Sequence, residues 1–276
     1  MVFDIRPART EDIEQIVPWT SDTFDWGDYV PERLPVWLDD HNATVLVTTM
    51  EDQPVGLVHG LMLTSTEAWL EAARVHPDHR RIGLGNALNT AGVEWAAKQG
   101  ARVVRLAVVD GNQPAITQVL ALGYRQTSVW AYCELAPAPT PDTGVRPGTT
   151  ADVDAAWMSW STSDLHRAAR GLIALGWQWR TARPQDLVEG VDEGRFFQSP
   201  QGWLLADQVD TKVMHSLWLS TAPEDAPEFL KGVLGLAADL STDSVKVKTP
   251  SLPWMTEAMR RAGGEPSEIL IFSKSI

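Results

Sequence analysis

Cysteine is nearly absent from this chain: there is one, Cys133. A single thiol forms neither an internal disulfide nor a multi-thiolate metal site, so redox and zinc-cluster chemistry drop out and the residue reads as a small buried apolar group. The six histidines are scattered without ligand spacing, which predicts no metal. No apolar run approaches the roughly 20 residues that cross a bilayer. The opening "MVFDIRPART" carries charges where a signal peptide needs an apolar stretch. The expectation is a cytoplasmic protein with no membrane partner. Positive charge is scarce too: 23 Lys and Arg against 36 Asp and Glu give a formal net charge of −13. That balance argues against a nucleic-acid partner, whose phosphates need clustered basic residues, and suits cationic ligands.

Tryptophan, by contrast, is abundant at 13 residues, as core packing or as stacking walls for a ligand. With 276 residues, 44% of them hydrophobic, the chain can bury more than one core. An internal repeat points the same way. "FDIRPARTEDIEQIV" and "TGVRPGTTADVDAAW" share an order of apolar residue, Arg-Pro, Thr, acid and helical pattern: Ile5-Arg6-Pro7 matches Val145-Arg146-Pro147, and Asp12-Ile13 matches Asp152-Val153. Between the copies, "LAPAPTPDTG" reads as an extended connector, so the predicted domains are 1–136 and 144–276. In the first copy, patterning gives the order β, α, α, β, β, β, α, β, α, β. In the second it gives strands at "GWLLADQV", "KVMHSLWLS", "SVKVKT" and "EILIFSKS", with helices near 225–240 and 255–262.

The stretch "HPDHRRIGLGNAL" carries the chemistry. A strand, a glycine turn and a helix offer unpaired N–H groups at the positive helix end, a ready anion site, and glycine lets the backbone approach the ligand. A Rossmann site would need a third glycine and a Walker loop a Gly-Lys-Ser/Thr; neither is present. Arg80 and Arg81 supply charge-assisted bonds to a phosphate or pyrophosphate.

These residues resemble the acyl-CoA motif of the GNAT superfamily of N-acyltransferases, in which Arg/Gln-x-x-Gly-x-Gly/Ala follows a strand ending in Val-x-Pro. Val75, Pro77, Arg80, Gly83 and Gly85 fill it, and Asn112, Ala115, Gly123 and Tyr124 fill a second family feature. The resemblance covers residues 3–134; the second half keeps the element pattern but reads "STAPEDAPEFLKG" where the turn belongs. It implies an α/β fold of tandem GNAT-like domains, each a mixed, mostly antiparallel twisted sheet flanked by helices, with an active first copy and a degenerate second. It further implies acetyl-CoA as cosubstrate, held by Val75, Arg80, Arg81, Ile82, Gly83, Leu84, Gly85, Asn86 and Asn112. "DYVPERLPVWL" and "EAWLEAARVHPDHRR" are similar to a group containing histidine N-acetyltransferase, which implies a small amino acid or amine as acceptor. The family often has a Tyr, serving as acid to the leaving thiol, where this chain has Val119; Tyr124, Tyr132 or water is the substitute.

Strand alternation puts Trp69, Glu71, Ala73 and Val75 on one face, which makes Glu71 the candidate base, with Glu67 the runner-up. The alternative is a structural ion pair of Glu71 with Arg74 or Arg102. Aromatic and acidic residues mix between Trp19 and Asp40, and Trp26, Asp28 and Tyr29 are the candidates for the acceptor wall; a solvated acidic helix face is the plainer alternative. Two outcomes stay open beside the enzyme: a non-catalytic acyl-CoA-binding sensor, and a homodimer formed through the second half.

Overall fold

The computed structural model describes residues 3–25, 27–140, 144–209 and 212–276. The first copy comprises β1 (Asp4–Pro7), α1 (Ile13–Thr20), α2 (Val30–Leu38), β2 (Ala43–Met50), β3 (Gln53–Met62), β4 (Glu67–Val75), α3 (Leu84–Lys98), β5 (Val103–Val109), α4 (Gln113–Ala121) and β6 (Arg125–Leu135). This is the order that the sequence pattern predicts. The second copy comprises β7 (Arg146–Pro147), α5 (Thr150–Ser161), α6 (Asp164–Ala169), β8 (Leu172–Leu175), β9 (Gln178–Thr181), α7 (Pro184–Asp192), β10 (Phe196–Ser199), β11 (Gly202–Val209), β12 (Val213–Thr221), α8 (Ala226–Asp239), β13 (Ser244–Pro250), α9 (Pro253–Arg261) and β14 (Ser267–Ser275). Patterning was silent from α6 to β10, where four-residue strands are too short to show a period.

The repeat has a physical basis. Arg6 holds Asp12 with two bonds, 2.7 and 2.8 Å, while Asp12 Oδ2 accepts from the Arg9 N–H at 2.7 Å. In the second copy Asp152 accepts from the Thr149 N–H at 2.8 Å, with Arg146 at 3.5 Å. A third instance, Arg180 with Asp186 and the Arg183 N–H, starts α7. In each, one carboxylate caps a helix and ties it to the preceding strand through an arginine, satisfying an otherwise orphaned amide. Arg6 and the Arg9 amide hold the Asp12 carboxyl below its ordinary value against the opposing effect of burial.

By contact density the chain forms two compact units, residues 1–106, 114–125 and 272–276, and residues 107–113 and 126–271. The units are not consecutive halves. β6, the closing strand of the first copy, belongs to the second unit, where it pairs antiparallel with β13 from Val245↔Leu135 to Pro250↔Trp130. The last residues belong to the first unit, where Ile276 N donates to Arg102 O at 3.0 Å and Lys274 Nζ to Leu122 O at 2.8 Å.

In the first unit β1 to β4 run antiparallel in sequence order. One face carries a core of Ile16, Val30, Leu34, Trp37, Val45, Val47, Leu57 and Ala72 under α1 and α2. On the other face α3 lies close to β3 because Gly60 has no side chain; a Cβ there would come within 3.3 Å of the Trp95 ring of α3. β4 and β5 run parallel, but their register covers Glu67↔Val103, Ala68↔Val104 and Trp69↔Arg105 and ends there, so the two strands diverge. In the second unit β12 and β13 repeat this, pairing in parallel from Val213↔Ser244 to His215↔Lys246. Cys133 is buried, and burial pushes its thiol up, as expected of an apolar filler. No described helix is long and apolar enough to cross a membrane.

The second unit buries a lysine. Lys248 is 1% exposed, with Nζ 3.5 Å from His215 Nδ1 and over the rings of Trp177 (4.9 Å) and Tyr132 (5.4 Å). Burial, with help from Lys246, pushes its pKa down to about 8; burial and the two lysines push His215 down to about 4. Lys248 therefore opposes folding wherever it is protonated in the unfolded chain, fully below pH 8 and not at all above about 10.5. Lys248→Met should raise unfolding stability at pH 7 by roughly 1–3 kcal/mol in urea titrations, the gain shrinking as pH climbs from 8 to 10. A gain independent of pH, or a loss, would count against this assignment.

Candidate active site

The glycine and arginine turn leaves the open end of the diverging pair. β4 ends at Val75, a 3₁₀ turn spans Pro77–His79, and Arg81 (φ 64°) and Gly83 (φ 91°) take left-handed backbone to swing the chain into α3. A Cβ on Gly83 would meet nothing within 4 Å, so glycine serves the backbone angle there and leaves open space above it. No side chain caps α3, and its first ladder bond runs from Ala87 N to Gly83 O at 3.1 Å. The N–H groups of Leu84, Gly85 and Asn86 precede that bond, at the positive end of the helix.

A cavity of about 450 Å³ sits over this turn. Val75, Arg80, Arg81, Gly83, Leu84, Gly85 and Asn86 line it, as the sequence predicts, together with His79 and Gln118. Gln118 was not foreseen. It reaches over from α4 and donates to Asn86 Oδ1 at 2.9 Å; its place one helical turn after Ala115 was the available signal. Arg80 is exposed, its Nε directed at Val75 O at 3.4 Å. Two expected residues are not part of the lining. Ile82 is turned outward, 37% exposed, by the left-handed residues on either side. Asn112 lies in the 107–113 stretch of the second unit, its N–H bonded to Val109 O at 3.2 Å.

On β4 the expected alternation breaks. Ala72 has φ 56°, and the register with β3 jumps from His59↔Glu71 to Leu57↔Arg74. This bulge puts Glu71 and Arg74 on the face of α1 and α2 and gives Val75, paired with Gly56, to the other. Glu71 therefore does not share a face with Val75. Its carboxylate has two close partners: Oε1 lies 3.0 Å from His59 Nδ1, and Oε2 accepts from Trp69 Nε1 at 3.0 Å. The Glu71 side chain is 17% exposed, so its carboxylate is held yet reachable. Glu67 is taken by Arg105 at 2.6 Å.

The acceptor wall also needs correction. The Asp28 side chain is 0% exposed and holds Arg74 through bonds of 2.7 and 3.1 Å, so it cannot meet a substrate cation directly. Burial pushes its carboxyl up, but bonds from Arg74, Thr23 and the Val30 N–H outweigh burial and hold it below its ordinary value. Arg74 in turn packs under the rings of Phe24 (4.9 Å) and Tyr29 (5.4 Å). Tyr29 stays 37% exposed, edge-on to Trp37 at 6.0 Å. Trp26 lies outside the described residues. Tyr124 is 2% exposed; burial pushes its phenol well up, opposed by the Asn89 amide alongside. A hydroxyl enclosed in that way is not placed to protonate a leaving group in an open cleft. No group of residues able to hold a metal ion occurs among those described.

A diverging parallel pair that ends in an arginine-lined anion cradle defines an acyltransferase-type α/β domain. Residues 13–124 match the acetyltransferase (GNAT) family. Its members transfer acyl groups from acyl-CoA. Histidine N-acetyltransferase of Oreochromis niloticus is 30% identical over 82 residues, 29% of this chain and 24% of that protein. The homologue from Scomber australasicus is 29% identical over the same length. The chain thus spans about a quarter of the length of the curated relatives it matches. Over the whole chain the fold is similar to a GCN5-related N-acetyltransferase from Sphaerobacter thermophilus, with TM-score 0.68, 14% identity, and 99% of this chain and 95% of the other covered. It is also similar to a tandem GNAT protein from the clavulanic acid biosynthesis pathway, with TM-score 0.57, 14% identity, and 99% and 98% covered. These two likenesses establish the fold.

Because Asp28 and Arg74 are both withdrawn from water, Asp28→Asn leaves a buried guanidinium without its counter-charge. The variant should lose about 3 kcal/mol of stability, read by thermal or urea unfolding; a loss below about 0.5 kcal/mol, the level of an exposed pair, would contradict the burial argument.

Proposed function

We propose that the chain is an N-acetyltransferase that moves the acetyl group of acetyl-CoA to a primary amine of a small molecule, by direct attack within a ternary complex. The observation that carries this reading is the cavity at the end of β4, where Arg80 and Arg81 meet the free amides of α3. Cations and unpaired N–H groups converging on open space suit a pyrophosphate. The space above Gly83 is what a close backbone approach requires. The divergence of β4 from β5 beyond Trp69 leaves unpaired strand edge for an extended, amide-bearing chain, which fits pantetheine.

Bound acetyl-CoA supplies an acyl group already activated as a thioester. Glu71 accepts a proton from the substrate ammonium, directly or through water, and the freed amine forms the new C–N bond as the C–S bond breaks. The nitrogen releases its second proton to water as the C–S bond breaks, and the thiolate takes one from water, since Val119 has no hydroxyl and Tyr124 is enclosed. Exposed Tyr29 and Phe24 offer flat surfaces to the acceptor. The names of the curated relatives support an amino acid or similar amine as acceptor class.

The second unit is a degenerate copy with no cofactor site. Its divergence is bridged by Ser216, whose Oγ accepts from Lys248 N at 2.9 Å and donates to Lys248 O at 3.3 Å. One active site per chain follows, in the first unit.

Replacing Arg80 and Arg81 together by Ala should raise the acetyl-CoA Kd by at least about tenfold, given roughly 1.5–3 kcal/mol for each charged hydrogen bond lost. Unaltered affinity in calorimetry would dismiss the cradle. Glu71→Gln should lower kcat by about 100-fold or more with acetyl-CoA binding intact. Thiol release over a panel of amines checks turnover; tight acetyl-CoA binding with no turnover on any amine would favour the non-catalytic sensor, for which Val119 speaks.

A further inference from the structure

We infer that His59 is a positioning residue: a neutral imidazole with its proton on Nδ1, which fixes and tunes the Glu71 carboxylate without exchanging protons with it. This rests on the reading of Glu71 as base in the proposed reaction.

His59 stands directly opposite Glu71 in the β3–β4 register, beside the Ala72 bulge. The bulge sets the pair up, because it ends regular alternation just past Glu71 and leaves the two side chains on one face. His59 is 2% exposed, and its ring stacks on Trp37 with centroids 4.3 Å apart and planes 11° from parallel. That stack fixes the ring plane, which aims Nδ1 at Glu71 Oε1, 3.0 Å away.

The other nitrogen decides the charge state. Nε2 is buried and has no hydrogen-bond partner among the described residues. A proton there would be an unsatisfied buried donor on a cation, which costs several times more than an unfilled acceptor on a neutral ring. The imidazole therefore stays neutral, and its one proton sits on Nδ1, where it donates to the carboxylate. Trp69 donates to the other oxygen at 3.0 Å, so a separate N–H holds each oxygen of Glu71. Such a carboxylate has its rotamer set before substrate arrives. The other charged or titratable groups facing the pair are Tyr29, before α2, and Arg74 with its partner Asp28. The Glu67–Arg105 pair lies further down β4.

Side-chain geometry provides a discriminating test. Asn carries its amide on Cγ, where His carries Nδ1, whereas Gln carries it one atom further out, nearer Nε2. His59→Asn should therefore keep kcat within about threefold of wild type, while His59→Gln and His59→Phe lose about 10- to 100-fold in kcat with the acetyl-CoA KM unchanged. In His59→Phe the acidic limb of the kcat/KM profile should move up by about one pH unit, because the carboxylate has lost a donor, and in His59→Asn it should return. A role in packing alone predicts the reverse ranking, with the aromatic Phe better than Asn and an unmoved acidic limb, and that result overturns the inference. In a Glu71→Gln background, replacing His59 should cost no further activity. If Glu71→Gln is itself fully active, the reading of Glu71 has failed and the inference falls with it. Should the His59 variants not fold, ¹⁵N NMR of the histidine rings in the wild-type protein still decides. A neutral Nδ1–H tautomer from pH 5 to 8 supports the inference, and titration within that range, or a proton on Nε2, overturns it.

Discussion

The site depends on the early end of the parallel β4–β5 register. Two parallel strands normally continue to exchange bonds along their length, and here they stop at Trp69↔Arg105. The last paired turn is pinned on one face by Arg105 and Glu67, 2.6 Å apart and nearly buried, so the strands separate from a fixed root. The strands upstream pair antiparallel in order, and the residues proposed for the site lie beyond that point: Glu71, the Ala72 bulge, the end of β4 at Val75 and the turn into α3. A strand free of its neighbour can bulge and bend as a fully laddered one cannot.

The bulge divides the labour of β4. Its face toward α1 and α2 receives Glu71 and Arg74, one held by His59 and Trp69 and the other by Asp28. Its far end delivers Val75 to the cavity of the arginine and glycine turn. A regular strand would have placed Glu71 and Val75 on one side and brought base and cradle into the same space. With one left-handed residue, Glu71 lies on the face of the first two helices and Val75 at the strand end, beside the cavity.

The second unit shows the same architecture with the cleft closed. β12 and β13 diverge after a pairing of the same length, yet Ser216 bridges them, and a buried lysine lies past the bridge among Tyr132, Trp177 and His215. Retention of the Arg-to-Asp tie at Asp12, Asp152 and Asp186 indicates what folding demands of each copy: a capped helix anchored to its strand. The turn of arginines and glycines, by contrast, occurs in the first copy and not at the matching place in the second.

Much of this was legible in the chain. Element order in the first copy and in parts of the second, and the repeat, follow from local signals: two-residue and 3.6-residue periods and a capping acid; the seven predicted residues that line the cavity follow from the motif resemblance. His59 was not legible, because a histidine inside an apolar strand gives no sign of its partner until register sets it opposite Glu71. The occupied state of Asp28 was hidden for the same reason: Arg74 is 46 residues away in sequence. Ala72 has no local mark of a bulge, so alternation put Glu71 on the wrong face. The sharing of β6 and the C-terminal residues between units was equally invisible, since sheet edges offer the same backbone donors and acceptors to any strand. The amino-acid sequence alone determined which elements form and where an anion would be met, because those depend on neighbours in the chain. Which partner holds each carboxylate, and on which face it lies, were decided by tertiary structure, through pairings between residues that only the folded sheet brings together.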